Sequence, residues 1–369
     1  MAAGQGAELL RPPTSSGRAT FLELFFDLAF VVALTRVSQR FAGLSDDTGW
    51  ALVTGFGRTL LLFLALWLIW SHTAWITSRY EPERPIIQAV VVGTMFAGLI
   101  MAVTLPRAME ERALPFTAAY LMVMVVRPLV VAAALRGHPR RLVPFRLAAW
   151  ASASVPLWLA GALGPDRLRL QQMFLIALGE SILVIGVVFS GADYSAGRAA
   201  AFAVAFATSA LLWRIYFHRA GLLLSDALDR AVMPGRLGAA SERTHLLIVL
   251  SVLVTSVGYE LVIDHPFGQP RPSWLLFVVG GPMLFLVARM RLEYEIFGRV
   301  SRSRMIGLVA LLLFTPALAR WAPMVGLSVV AGVLALVALL DALRSWGQPL
   351  EVPASPIGRE ASDVRDSEA

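Results

Sequence analysis

Cysteine, lysine and asparagine are absent from this 369-residue chain. The lack of cysteine excludes disulfides, thiolate metal ligands and cysteine nucleophiles. The chain also has no Gly-Lys-Ser/Thr phosphate loop, no His-Glu-x-x-His zinc motif and no Gly-x-Ser-x-Gly nucleophile elbow. We therefore predict no cofactor and no metal site, assign no catalytic residue, and do not expect this chain to couple its activity to nucleotide hydrolysis.

Charged residues are scarce as well: they make up 15% of the chain, against 57% hydrophobic residues, and the mean hydropathy is +0.69. This composition is typical of a membrane protein with several spans rather than of a soluble domain. A run of about 20 apolar residues crosses the hydrocarbon layer of a bilayer. Eleven candidate runs lie near 21–43, 51–76, 86–105, 113–135, 145–163, 169–190, 197–218, 244–263, 273–289, 304–319 and 322–343.

These runs divide the chain into three parts. The segment 1–20 precedes a multi-pass transmembrane domain over 21–345, and 346–369 is predicted to be a disordered tail because it is rich in Pro, Ser and acids. We predict an all-α polytopic membrane helix bundle with about 10 to 12 transmembrane helices. The lipid bilayer is the partner that this architecture requires.

The arginines predict the orientation of the chain. In the first half they occupy alternate connections, beginning with Arg11 and Arg18, which places the N-terminus in the cytoplasm of a bacterial cell with the runs in its plasma membrane. In the second half, connections with arginines such as Arg289 and Arg304 would face the outside of the cell if every run crossed the membrane once. They face the cytoplasm if the stretch 145–218 crosses an even number of times. The net charge of +7 arises from such short basic connections, so we predict no nucleic-acid binding.

Two acids inside apolar runs are the main functional candidates. A carboxylate near the centre of a membrane helix costs roughly 2.5 to 3.5 kcal/mol on insertion scales, so it is retained for a reason. Asp27 lies inside the first run, and Glu180 is central in the run 169–190. Each could line an ion pathway or could form a buried ion pair that holds helices together, and both interpretations stay open.

Three further charged residues complete the candidate site. Glu23 shares a helix face with Asp27, although Thr20 to Glu23 also forms a capping box that would explain Glu23 structurally. Arg127 and Arg58 lie inside apolar runs, and we expect at least one of them to pair with Asp27 or Glu180. Pro128, directly after Arg127, is expected to break its helix and to free carbonyl groups nearby.

His72, His218 and His245 lie near the ends of different runs. Three such histidines could form a metal site or a proton relay. Scattered histidines more often bond to water or to backbone groups, and for this reason none of them enters the predicted site.

Several stretches resemble the bacterial low temperature requirement A family of multi-pass membrane proteins. They are Leu22 to Val31, Trp70 to Tyr80, Ala177 to Gly186, Leu212 to Ala220 and His245 to Leu261, and together they extend the resemblance over about residues 20 to 345. The resemblance implies a polytopic membrane protein. It implies no particular biochemical activity, because the family is named for growth in the cold.

We expect a secondary transporter or ion-conducting protein, with a small ion or small molecule as substrate, in which Asp27 and Glu180 line a polar path balanced by Arg127 or Arg58. One alternative is a membrane-embedded enzyme acting on a lipid or isoprenoid, with Glu180 and a histidine as acid and base. The other is a non-catalytic membrane component whose buried charges only specify packing. The oligomeric state is not predicted.

Overall fold

The computed structural model describes residues 9–11, 20–135, 144, 170–191, 195–218, 220–231, 233–269, 271–346 and 351–357. Every regular element in these ranges is a helix. The helices are α1 (Phe21–Ala42), α2 (Gly49–Arg79), α3 (Pro85–Thr104), α4 (Ala113–Ala134), α5 (Leu170–Gly191), α6 (Ala196–Phe217), α7 (Ala220–Arg230), α8 (Pro234–Asp264), α9 (Gly281–Phe297), α10 (Arg302–Leu318) and α11 (Pro323–Ser345).

Ten of the eleven apolar runs coincide with a helix, and the remaining run, 145–163, lies outside the described residues. Within the described ranges, seven helices are long and apolar enough to cross a membrane: α2, α3, α4, α5, α6, α8 and α11. The all-α polytopic architecture is therefore confirmed. The total of ten or twelve crossings, and their orientation, stays a prediction. The short amphipathic helix α7 corresponds to no predicted run.

Large apolar side chains cover the outer surfaces of the helices. Phe96, Leu183 and Leu313 are 62%, 52% and 74% exposed, respectively. Contiguous apolar surface of this kind is rare on soluble monomers and is expected where helices face lipid tails. The helices thus bury one side against each other and offer the other side to the bilayer.

Residues 1–37 and 57–169 form one compact unit, which we call unit 1. Its described part contains most of α1 and α2 together with α3 and α4. Phe30 of α1 is buried against Gly98 of α3, where the missing side chain leaves room for the aromatic ring. The described part of the N-terminal segment joins unit 1, because Leu10 forms an isolated antiparallel bridge with Tyr80.

Arg127 and Pro128 do not end their helix, contrary to the sequence prediction. A π turn over Met122–Val126 precedes them, and the helix continues to Ala134. Proline lacks the N–H that an α-helix needs at this point, and the wider π turn accommodates that loss without interrupting the span. The same arrangement recurs before Pro282, where a π turn over Leu276–Gly280 leads into α9.

Residues 38–56 and 170–369 form unit 2, which is built around α8. The most apolar stretch of α8 is 83% buried, against 33% to 50% for the other spans. Helices α5, α6 and α9 all pack on it. Gly258 and Gly281 allow α8 and α9 to approach closely, since a Cβ at these positions would lie 2.9 Å from Phe277 O and 2.5 Å from Thr255 Oγ1.

Part of the tail that was predicted to be disordered is packed on unit 2. The Ala354 N–H donates to Ile296 O at 2.9 Å, and Arg299 forms an ion pair with Glu351. Residues 358–369 lie outside the described residues. The segment 351–357 therefore belongs structurally to the end of α9.

Candidate functional site

Glu180 lies near the middle of α5 and is completely buried. Its Oε2 atom accepts a hydrogen bond from Ser256 Oγ of α8 at 3.3 Å, and Ser256 Oγ lies 2.8 Å from Ser38 Oγ near the end of α1. Its Oε1 atom accepts no hydrogen bond from any described residue. Buried polar atoms are nearly always hydrogen-bonded, so this incompletely bonded carboxyl group points to a functional role.

Hydroxyl groups, rather than cations, surround this part of unit 2. Ser181 and Ser209 are buried on α5 and α6, and their Oγ atoms lie 3.4 Å apart. A further acid of α8, Glu260, lies one helical turn beyond Ser256, the residue that donates to Glu180. The described residues place no arginine in an ion pair with Glu180. Among the described residues, the bonding partner of the Glu180 carboxyl group is thus a hydroxyl and not a cation.

A pocket of about 560 Å³ opens near the ends of α1 and α8. Its lining includes the acids Asp46, Glu260 and Asp264, and the cation Arg271, which is paired with Asp46. Gln39 also lines it. Two further acids remain after the pairing of Asp46, so the pocket should attract cations.

The pocket comes close to the buried serines. Gln39 is the residue after Ser38, and Glu260 follows Ser256 by four positions, which is about one turn of α8. The Ser38–Ser256 hydroxyl pair therefore lies between the acidic pocket and Glu180. These polar groups follow one another in space, from the pocket acids through the paired hydroxyls to the buried acid. Such a series is suited to passing a proton or a small cation along the helices.

In unit 1, the structure gives Asp27 a different partner from the predicted one. Asp27 Oδ1 accepts a hydrogen bond from Trp70 Nε1 of α2 at 2.9 Å. Arg127 Nη1 donates to Thr73 Oγ1, also on α2, at 2.6 Å. Because Trp70 and Thr73 are three residues apart on one helix, Asp27 and Arg127 bind neighbouring positions of α2 without forming an ion pair.

The expected pairing of Arg127 or Arg58 with one of the two acids is therefore wrong within the described residues. Arg58 is exposed, although it lies inside an apolar run. Its place near the start of α2 lets its guanidinium group reach the polar boundary, as long basic side chains do at membrane interfaces. Spacing along the chain did not reveal this, because pairing depends on how the helices pack.

Glu23 is held as a helix cap, as one of its two interpretations predicted. Its Oε2 atom accepts from the Thr20 N–H at 2.6 Å and from Thr20 Oγ1 at 2.7 Å. Arg11 lies 3.6 Å from Oε1. Glu23 thus stabilises the first turn of α1, where a carboxylate also complements the helix dipole.

The histidines that the sequence singled out bond to groups of their own helix and, for His245, also to a neighbouring helix. His72 Nδ1 lies 2.7 Å from Leu68 O, and Arg214 Nη1 lies 3.1 Å from His218 Nδ1. His245 bonds to Tyr216 and to the Ser241 carbonyl. Across the described ranges, no three His, Cys, Asp or Glu side chains are grouped as a metal site would require.

Unit 2 contains a buried ion cluster that the sequence did not predict. Arg304 of α10 is 2% exposed and pairs with Glu293 of α9 at 2.5 Å and with Asp341 of α11 at 2.8 Å. Ser303 Oγ also donates to Asp341 at 2.5 Å. From the sequence, Arg304 is expected in a loop. The signal that could have shown its burial is the position of Glu293 beside one apolar run and of Asp341 inside another, since such acids need a cationic partner.

Arg289 is the second arginine that was expected in a loop and is instead completely buried in α9. Its Nε atom donates to Ile215 O at 3.1 Å and its Nη2 atom to His218 O at 2.6 Å. It thereby satisfies carbonyls at the end of α6 that have no partner within that helix.

Burial lowers the pKa of His218 to about 4, so this histidine is neutral at pH 7.

Comparison with known proteins agrees with this architecture. The family described as Bacterial low temperature requirement A protein matches residues 18–171 and 169–339, and the division between the two matches coincides with the border of the units at residue 169. An uncharacterized protein of Rhizobium meliloti (strain 1021) is 30% identical over 328 residues, which cover 76% of this chain and 78% of the relative. No solved structure matches the chain. The chain therefore belongs to the bacterial low temperature requirement A family of multi-helix membrane proteins.

Proposed function

We propose that this protein is a secondary transporter or an ion-conducting protein of the bacterial plasma membrane, with Glu180 as the central acid of its pathway. One observation carries the proposal: the fully buried Glu180 is connected through the hydroxyls of Ser256 and Ser38 to an acid-lined pocket. An ionisable residue at membrane depth that faces the protein interior is typical of proton and ion pathways.

The chemistry of the pocket supports a cationic substrate. Glu260 and Asp264 lie one turn apart on α8, so their carboxylates attract the same ion. A cation that enters there meets Gln39 and then the Ser38–Ser256 pair before it reaches Glu180. If the N-terminus is cytoplasmic, the end of α1 and this pocket face the outside of the cell.

Asp27 is the second acid of the proposal, within unit 1. Its carboxylate has an indole donor and no arginine partner, so Asp27→Asn would keep the Trp70 bond and remove only the charge. Arg127 and Glu23 have partners that explain them structurally, and Arg58 is exposed. In our proposal these three residues support the helices and do not bind the ion.

Flux measurements in vesicles test the proposal. The purified protein is reconstituted into liposomes, and fluxes of protons, Na⁺ and K⁺ are followed under an imposed gradient for the wild type, Glu180→Gln and Asp27→Asn. We expect flux in the wild type and its loss in Glu180→Gln. Absence of flux for every ion, together with altered lipids in a deletion strain, would overturn the proposal in favour of a lipid-modifying enzyme.

A further inference from the structure

A second buried polar group lies on α8, toward the opposite end from the pocket. His245 and Tyr216 are both completely buried, and Tyr216 Oη lies 2.7 Å from His245 Nε2. His245 Nδ1 lies 2.7 Å from Ser241 O. A carbonyl oxygen can only accept, so Nδ1 carries a proton. Neutral His245 therefore accepts at Nε2, and the Tyr216 hydroxyl donates to it.

Ser241 connects this pair to Glu295 of α9, because its carbonyl bonds to His245 and its hydroxyl donates to the carboxylate. Thr244 Oγ1 donates to Glu295 Oε1 at 2.6 Å, and Ser241 Oγ donates to Oε2 at 3.4 Å. Arg291 Nε donates to the same carboxylate at 3.1 Å, and its side chain is 48% exposed. A proton carrier, a hydroxyl-bound carboxylate and an accessible cation thus follow one another from the interior to the surface.

Apolar side chains separate this group from Glu180. Ser256 follows His245 by eleven positions along α8, a rise of about 16 Å. Between them, Ile248 and Val252 are completely buried and apolar, and the buried hydroxyls of Ser251 and Thr255 donate to carbonyls of α8 itself. On α5, Phe174 stacks on the Tyr216 ring with centroids 3.8 Å apart. The two polar groups are therefore separate along α8, and each forms one half of the path.

We infer that the transported ion is a proton, and that the Tyr216–His245 pair and Glu295 form the second half of its path, on the side of the protein opposite the acidic pocket. This inference rests on the proposed function of Glu180. The partners at this end are an imidazole, a phenol and single hydroxyls, which can relay a proton but do not supply the shell of oxygen ligands that a metal cation takes. The charged group that acts on His245 is Arg289 of α9, and Glu295 of the same helix bonds to the neighbouring Thr244.

The transfer keeps its protons balanced. A proton that arrives from the Glu180 side joins Tyr216 Oη as the phenol passes its own proton to His245 Nε2. The imidazolium that results, protonated on both nitrogens, releases its Nδ1 proton to the Glu295 carboxylate by way of Ser241, and a turn of the ring then restores the starting tautomer. No electrons are exchanged and no co-reactant is needed.

Two substitutions test the relay while keeping the packing. His245→Gln offers an amide that can both donate to Ser241 O and accept from Tyr216, but it cannot bind a proton at neutral pH. Tyr216→Phe removes one hydroxyl and retains the ring on Phe174. The matched control is Thr208→Val, which deletes a buried hydroxyl of α6 that bonds only to Val204 O of its own helix.

Proton flux is measured in liposomes with a pH-sensitive dye, and folding is checked by thermal unfolding in detergent. We expect about a hundredfold loss of flux in His245→Gln and in Tyr216→Phe, the size of effect that a positioned proton donor or acceptor supplies. Thr208→Val should conduct as the wild type does. If His245→Gln does not fold, Tyr216→Phe alone decides.

The outcomes separate the relay from the proposed function. Wild-type flux that Glu180→Gln abolishes, but that both relay variants retain, overturns the relay and leaves the role of Glu180 intact. Flux of Na⁺ or K⁺ without proton flux also overturns the inference. A wild type that carries no ion at all overturns both proposals.

Discussion

Replacing Glu180 by glutamine should stop ion flux and leave the fold intact. Glutamine has nearly the shape of glutamate, and its carbonyl oxygen can accept the bond from Ser256 Oγ that Oε2 accepts now. No arginine is paired with Glu180 in the described structure, so the substitution leaves no buried cation without its partner. The change therefore removes a protonation site and very little else.

The expected effect on stability follows from these contacts. A hydrogen bond to a neutral group stabilises a protein by about 1 kcal/mol less than one to a charged group. If Glu180 is ionised, this difference is the largest loss of unfolding free energy that the substitution causes. An ionised carboxylate buried without a cation also carries a desolvation cost of several kcal/mol, which glutamine avoids. The unfolding free energy should thus fall by no more than about 1 kcal/mol, which corresponds to a fall in Tm of no more than about 4 °C, and it rises if the avoided desolvation cost is larger.

The effect on flux should be far larger. If every transported ion binds Glu180, its loss should reduce flux by at least about a hundredfold. The assay compares wild type, Glu180→Gln and the exposed control Glu110→Gln in the same liposomes, with Tm measured in detergent. Wild-type flux in Glu180→Gln would refute the reasoning, and so would a large fall in Tm, because it would show that the carboxylate stabilises the fold through a partner.

Three other substitutions have expected outcomes that follow from single contacts. Arg304→Met should lower the unfolding free energy by about 3 to 5 kcal/mol, because it leaves Asp341 buried without its cation and Glu293 with only the more distant Arg299; an unchanged Tm would contradict this. Glu23→Ala should cost about 1 kcal/mol of helix capping and leave flux unaltered, which the same two assays measure together. Ser256→Ala should slow flux with little loss of stability, since it interrupts the connection from the pocket to Glu180; normal flux in this variant would show that the serine is not on the path.

The sequence predicted the membrane architecture well because hydropathy depends on local composition. Apolar runs of the right length coincide with helices wherever the structure describes them, and the Glu23 carboxylate bonds back to Thr20 as its spacing indicated. The sequence-based predictions were wrong where the tertiary structure overrides a local rule. Pro128 was expected to break α4, but a π turn before it accommodates the missing N–H and the helix continues. Arg304 was placed in a loop, because the acids that pair with it are distant in sequence.

By itself, the sequence determined that this chain is an all-α membrane protein of its family, and it identified Glu180 and Asp27 as acids that a bilayer would exclude unless they served a purpose. Only the tertiary structure decided their partners: Trp70 for Asp27, and for Glu180 two serines that lead to an acidic pocket. The physical reason is that burial of an acid depends on the apolar residues beside it along the chain. Its hydrogen bonds depend on which helix faces are packed together, and residues 76 positions apart, such as Glu180 and Ser256, meet only in the folded bundle.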